Sequence, residues 1–507
     1  MRIKAEMADK YKQKKIEYIF MAVVFLGYLA FNGILLLGHE QWRDEANVWL
    51  MARELSPLSL FGEIKYQGHP CLWYLLMMPF AKAGLPFETI SFVSYTIMAV
   101  TAGLFLWKAP FYGPIKAAVL FSPAFTYYYA VVARNYCLIA LFLILLAVYY
   151  PKRNEKSFLF GLLLGLLVQS DVIALMTAGA ISIIWSGENL WQSLKQRSAV
   201  PFINILKGIW LPLCSLVLLI MQFYHVSDSP VFQVNSFGKR ELLRETRNYS
   251  FQILERLSGW EESFCLLFFF LFLLLTLFVS LKLRNIQAVA VMAAAYLFQA
   301  FFSAMVYQLH IWHFLSLCFV FIWMLWTMYG QCAEKRVEDK GIRAALAGLQ
   351  MLLLVLSASM FLRWNAENET SSLDNALHGM YSDGAGTAGY IRENISSEEL
   401  IVSVNVPRAS TVLAYLPEYE FYFAGNGQKE SYANWSEEQN LEIGFDELLL
   451  WVKTNFPEKR EFFILDSSDS CLTDKENRLE ECEVLYRTLQ ETARGEEYTV
   501  YHVEIER

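Results

Sequence analysis

"GHEQWRDEANVWLMARE", residues 38–54, follows directly on an apolar run near 18–38 and sets two acidic side chains, Asp44 and Glu45, side by side where that run ends. A membrane span needs about 20 mostly apolar residues. The run is long enough to cross, so the motif lies just past a membrane–water boundary. The stretch behind the acidic pair reads as a helix. On one reading Asp44 is the N-cap of that helix and accepts its first backbone N–H groups. On the other, Asp44 faces a cavity as a general base. Adjacent helical residues point about 100° apart, so one carboxylate can react while its neighbour binds a cation or a partner, and Asp44 and Glu45 are both catalytic candidates.

The chain of 507 residues is 55% hydrophobic and 18% charged, against about 25% charged in a soluble domain. Its apolar residues come in long blocks, which marks a polytopic α-helical membrane protein. Charge divides it in two. From Asn365 onward there are 29 Asp+Glu against 11 Lys+Arg, whereas the first 364 residues hold 31 Lys+Arg against 21 Asp+Glu. The expected domains are therefore a membrane domain over 1–363 and a small α/β domain over 364–507. No DNA-binding pattern appears, and nucleic acid is excluded as a partner. Six of the eight cysteines lie in or beside apolar segments as small core residues, whereas Cys471 and Cys482 in the tail could pair outside the cell.

Length and polarity predict about eleven spans, near 18–38, 88–107, 116–131, 135–150, 157–170, 172–187, 204–224, 263–281, 286–307, 312–330 and 343–362. With the N-terminus in the cytoplasm, every second loop is basic, as the positive-inside rule requires. The C-terminal domain then lies outside the cytoplasmic membrane, with the loops at 39–87 and 225–262. The apolar stretch 69–86 is short and reads as an interfacial helix. In the tail, "ELIVSVNV" (399–406), "YEFYFAG" (419–425), "EFFILD" (461–466) and "YTVYHVEI" (498–505) read as strands. "GTAGYIREN" (386–394) and "FDELLLWVKTNF" (445–456) read as helices.

"KYQGHPCLWYLL" (65–76) presents His69 between a turn glycine and a rigid proline. Together with the acidic pair, "YYYAVVARNY" (127–136) and "GLLLGLLVQSDVIAL" (161–175), it resembles the polyprenyl-phosphate-dependent glycosyltransferases of the GT-C superfamily. These include protein O-mannosyltransferases and lipid A aminoarabinose transferases. The resemblance covers about residues 1–330 and is strongest over 38–80. It implies that Asp44 activates the acceptor hydroxyl and that His69 lies near the donor phosphate. Where many relatives place a second acidic residue, this chain has Arg134-Asn135-Tyr136, and Asp171 is the nearest acidic residue at similar depth. Asp171 and Tyr136 become acceptor-binding candidates, and Arg134 joins His69 as a donor-phosphate candidate. The metal requirement stays open, a divalent cation such as magnesium or manganese being the one cofactor to consider.

Two further groups are candidates for the donor phosphate. Arg240, Arg244 and Arg247 fall on one helical face, and arginine suits phosphate. An interfacial helix paired with Glu241 and Glu245 is the plainer alternative. His310 and His313 are i, i+3 neighbours beside Trp312 and could meet phosphate or anchor the interface. Sequons at Asn248, Asn368, Asn394 and Asn434 carry little weight. The expected function is an inverting transferase moving a sugar from a polyprenyl-phosphate carrier to a hydroxyl on an envelope glycan, lipid or protein, with membrane lipids as surroundings. The rivals are a transporter or flippase of lipid-linked saccharides and a non-catalytic envelope-assembly protein.

Overall fold

The computed structural model describes residues 2–224, 235–366, 372–425, 428–435, 443–468, 472–474 and 478–505. Asn368 and Cys471 lie outside the described residues.

Among the described residues, eight helices are long and apolar enough to cross a membrane: Lys14–Leu37, Thr89–Lys108, Val172–Gln196, Val200–Phe223, Glu262–Leu283, Gln287–Met305, Ile311–Glu334 and Lys340–Ala366. Tyr136–Lys152 and Ser157–Val168 are shorter apolar helices. The remaining expected span, 116–131, is broken into Gly113–Leu120 and Tyr127–Ala130. Pro123 sits in the gap, and a proline lacks the N–H and clashes with the preceding turn. The 69–86 stretch forms the helix Leu72–Lys82, whose buried Trp73, Tyr74, Met77, Met78 and Ala81 pack on the rest of the domain.

Burial ranks the helices. Of the apolar window of Ile311–Glu334, 89% is buried, against 28% for Lys14–Leu37 and for Glu262–Leu283. A helix apolar all round and buried all round is a central one, and the outer helices keep apolar faces for lipid. At one point two helices meet backbone to backbone. A Cβ on Gly161 would overlap the Gly208 carbonyl, and one on Gly165 would lie 2.9 Å from Ser215 Oγ. The Gly161–Gly165 spacing is the small-residue seam that lets membrane helices approach closely.

The C-terminal domain is a six-stranded sheet in the order 428–430, 421–423, 401–403, 461–467, 498–504, 483–487. Strands 421–423, 401–403 and 461–467 are parallel, and the outer pairings are antiparallel. All four expected strands and both expected helices form. The helices Leu373–His378 and Val406–Tyr415, the edge strands 428–430 and 483–487, and a separate two-stranded parallel pair, 443–444 with 472–473, are additional to those expected. This domain and the loops near residues 40, 133, 170 and 310 meet at one end of the helix bundle. At the opposite end Arg153 pairs with Glu188 at 3.2 Å and Lys282 with Asp339 at 3.6 Å.

Gly161→Ala should destabilise the protein by about 1–3 kcal/mol through overpacking, seen as a lower midpoint in detergent thermal unfolding. Gly179→Ala, where a Cβ meets nothing within 4 Å, should leave that midpoint unchanged.

Candidate active site

The helix Arg43–Glu54 begins where the first span ends. Its cap is Glu45, not Asp44. The Glu45 carboxylate, at the third helical position, accepts the Trp42 N–H at 3.1 Å, the reaching-back half of a capping box. It also accepts the Ala133 N–H at 2.6 Å and lies 3.1 Å from His39 Nε2. Glu45 has no exposed surface and no place among the cavity-lining residues. The expectation of a second catalytic carboxylate is corrected: Glu45 is a clamp between two chain segments.

Ala133 precedes Arg134, so the clamp delivers the next three side chains. The Arg134 guanidinium donates to Asp44 Oδ2, and its other arm to His69 Nε2 at 3.1 Å. Asn135 Nδ2 donates to Ser170 O and to Asp171 Oδ2, each at 2.6 Å. The Tyr136 hydroxyl lies 3.1 Å from His313 Nε2. One tripeptide thus joins the Asp44 helix, the 170–174 turn and the 310–313 turn.

Hydrogen-bond direction assigns both histidines. His69 Nδ1 is 2.9 Å from Gln67 O. A carbonyl only accepts, so Nδ1 carries the proton and Nε2 receives Arg134. Burial, with the Arg134 guanidinium next, holds His69 below the usual histidine range, consistent with this neutral form. His69, expected near the donor phosphate, is therefore an acceptor, and the fixed positive charges are Arg134 and Arg43. In His313, Nδ1 accepts the His310 N–H at 3.0 Å, so Nε2 donates to the Tyr136 oxygen. The Tyr136 proton is left to point at a ligand.

These groups line a cavity of about 290 Å³ that includes Arg43, Asp44, His69, Arg134, Tyr136, Asp171, His313 and, from the C-terminal domain, Trp435. Asp44 keeps 26% of its side chain exposed there. Burial pushes its carboxyl up, but Arg134 and Arg43 outweigh that and hold it below the ordinary value of 3.8. Arg43, which the sequence reading passed over inside its own motif, has its Nε 3.7 Å from Asp44 Oδ1. Its guanidinium lies 5.7 Å from the Trp42 ring and 5.8 Å from the Trp435 ring. Asp171 accepts the Ile173 N–H at 2.9 Å as well as Asn135, which makes it the cap of the 172–174 turn.

The arginine stripe does not join this cavity. Arg240 is exposed, and Arg244 pairs with Glu241 at 3.4 Å and Glu245 at 3.0 Å, as the plainer alternative supposed. Arg247 lies over Phe251 and lines a separate apolar cavity of about 500 Å³. His310 stacks on Trp312 at 4.6 Å and does not line the polar cavity. Among the described residues no group of three His, Cys, Asp or Glu side chains could hold a metal ion. The Asp44 charge is taken by Arg134, so the residues present do not fit a divalent cation. No family model, curated protein or solved structure matches the chain.

Glu45→Gln replaces one carboxylate oxygen by an amide facing a donor, and should lower stability by about 1–3 kcal/mol. Asp44→Asn keeps an acceptor oxygen for Arg134 at the edge of the cavity and should cost less than Glu45→Gln. Thermal unfolding of the two purified variants checks the contrast.

Proposed function

We propose that this protein is an integral-membrane inverting glycosyltransferase of the GT-C type. It takes a sugar from a polyprenyl-phosphate donor and transfers it to a hydroxyl of an envelope glycan, lipid or protein. The observation that carries the reading is the Asp44–Arg134 pair, with Arg43 beside it, in a cavity at one end of the helix bundle. The apolar cavity supports a lipid-borne substrate. Both cavities draw walls from the helices Gln287–Met305 and Ile311–Glu334. A carrier of lipid-linked saccharides would place its charges near the middle of the spans; here they gather at an end.

In this mechanism the donor phosphate takes over the Arg134 guanidinium and releases Asp44. Asp44 accepts the proton of the acceptor hydroxyl as that oxygen attacks the anomeric carbon. The bond from anomeric carbon to phosphate oxygen breaks on the opposite face, and its electron pair leaves with the phosphate. Arg134 and Arg43 hold the charge that builds there. The Tyr136 hydroxyl, fixed by His313, donates to a sugar or phosphate oxygen. Holding both partners in one small cavity supplies the orientation such a step needs.

The C-terminal domain and the cavity face outward, and the basic ends of the spans face the cytoplasm. In a background stripped of other reactive thiols, a membrane-impermeant thiol reagent on whole cells should label Glu447→Cys and not Glu155→Cys, both exposed positions. The reverse pattern would place the site on the cytoplasmic side.

Asp44→Asn should reduce transfer by about 10²–10⁴-fold with normal yield of folded protein. Near-normal transfer would remove Asp44 as the base. The base works deprotonated, so activity is lost as pH falls through its pKa. In the free enzyme that pKa is depressed, and the acid limb of kcat/KM lies low. Arg134→Met removes the larger of the two opposing charges, leaving Arg43, and should move the limb to higher pH, read from the pH profile of the residual activity.

A further inference from the structure

The Asp44 helix is held by the C-terminal domain at three places. Ahead of it, the Gln41 N–H donates to the Tyr415 hydroxyl at 3.2 Å, and that hydroxyl donates back to Gln41 Oε1 at 2.6 Å. At its first residue, the Arg43 N–H donates to Glu496 Oε1 at 3.1 Å. One turn on, Asn47 Oδ1 accepts the Ala433 N–H at 2.7 Å, and Gln67 Nε2 donates to the Ala433 carbonyl at 2.8 Å. Asp44 lies between the second hold and the third.

Glu496 is the firmest of these anchors. It has no exposed surface. Its Oε2 accepts the Ser382 hydroxyl at 2.7 Å and the Thr411 hydroxyl at 3.3 Å, and Arg408 faces Oε1 at 3.4 Å. All three partners belong to the C-terminal domain, so the carboxylate is oriented before it meets the membrane domain. The first N–H groups of a helix have no partner within it and welcome negative charge. Here a carboxylate 453 residues further along the chain supplies it. Arg494, from the same turn, lies 4.4 Å from the Trp42 ring and 5.1 Å from the Trp312 ring at the cavity wall.

We propose that Glu496 is a positioning residue for the Asp44 reaction, and that the C-terminal domain is a working half of the site, not a separate binding module. The proposal rests on the transferase reading above. Two of the first backbone donors of the helix are set by carboxylates on different sides. Glu45 fixes the helix to the turn bearing Arg134, and Glu496 fixes it to the C-terminal domain. Asp44 is aimed by both.

The test uses the full chain in detergent or nanodiscs, with two readouts. Hydrogen exchange over residues 40–48 needs no substrate. In Glu496→Gln the amide competes with Arg408 and the hydroxyls for the same places, so the Arg43 amide should exchange at least about tenfold faster. Transfer kinetics should show kcat lowered by about 10- to 10²-fold, the range a misplaced group produces, with donor KM unchanged. Arg43→Pro deletes the N–H that Glu496 accepts, at a helical position where proline is tolerated. In the Arg43→Pro background Glu496→Gln should lower kcat no further, whereas in Arg43→Ala it should exact its full factor. If Glu496→Gln fails to fold, Ser382→Ala removes one anchor of the carboxylate and carries the same comparison. Unchanged exchange, unchanged kcat, or an equal loss in both Arg43 backgrounds overturns the proposal. Failure of the transferase reading shows elsewhere, as absence of transfer by the wild-type protein, and leaves the exchange result standing.

Discussion

A carboxylate with no exposed surface has to be given donors, and Glu45 takes them from separate parts of the chain: the Trp42 and Ala133 backbone and the His39 ring. Leaving such a charge unpaired in a low-dielectric setting would be far costlier than any single hydrogen bond is worth. The loop after the first span and the turn before Tyr136 are therefore obliged to meet. Once they do, Arg134 is beside Asp44, Asn135 reaches Asp171, and Tyr136 reaches His313. The polar cavity is the space enclosed by that obligatory junction.

The same junction separates two environments. On one side is a small cavity with guanidinium, carboxylate, imidazole and phenol groups; on the other an apolar cavity whose cation, Arg247, is itself laid over Phe251. The proposed donor, sugar phosphate at one end and hydrocarbon at the other, has a counterpart for each part in this division. A water-soluble nucleotide sugar would leave the apolar space without a purpose. The neutral His69 adds to the contrast, because it leaves Arg43 and Arg134 as the permanent positive charges of the polar side.

What could be read from the residues follows from the range of the forces involved. Hydropathy is local, so the long helices and the strands of the tail stood out, and Pro123 accounts for the span that breaks. The motif residues Asp44, His69, Arg134, Tyr136, Asp171 and His313 do gather around one cavity. Roles within the motif were not legible. Asp44 and Glu45 look alike in sequence, and only the placement of the Trp42 and Ala133 backbone N–H groups shows which one caps and clamps. The arginine stripe had sound helical spacing, but spacing names a face without saying what it meets, and this face meets Glu241, Glu245 and an apolar cavity. The contributions of Ala433, Trp435 and Glu496 come from hundreds of residues away and leave no mark near Asp44.

That last separation has a consequence in time. Contacts between residues far apart in sequence close late, because a long loop has to be ordered first. The helix of Asp44 can form early, as a short segment following the first span. Its Glu496 hold cannot exist until the chain has been made through the strand 498–504 and the sheet has closed around Ser382, Thr411 and Arg408. During synthesis the half-made protein would sit in its bilayer with the Asp44 carboxylate not yet set by the C-terminal domain. The order of synthesis thus withholds the final placement of Asp44 until the Glu496 turn and its surrounding sheet are in place.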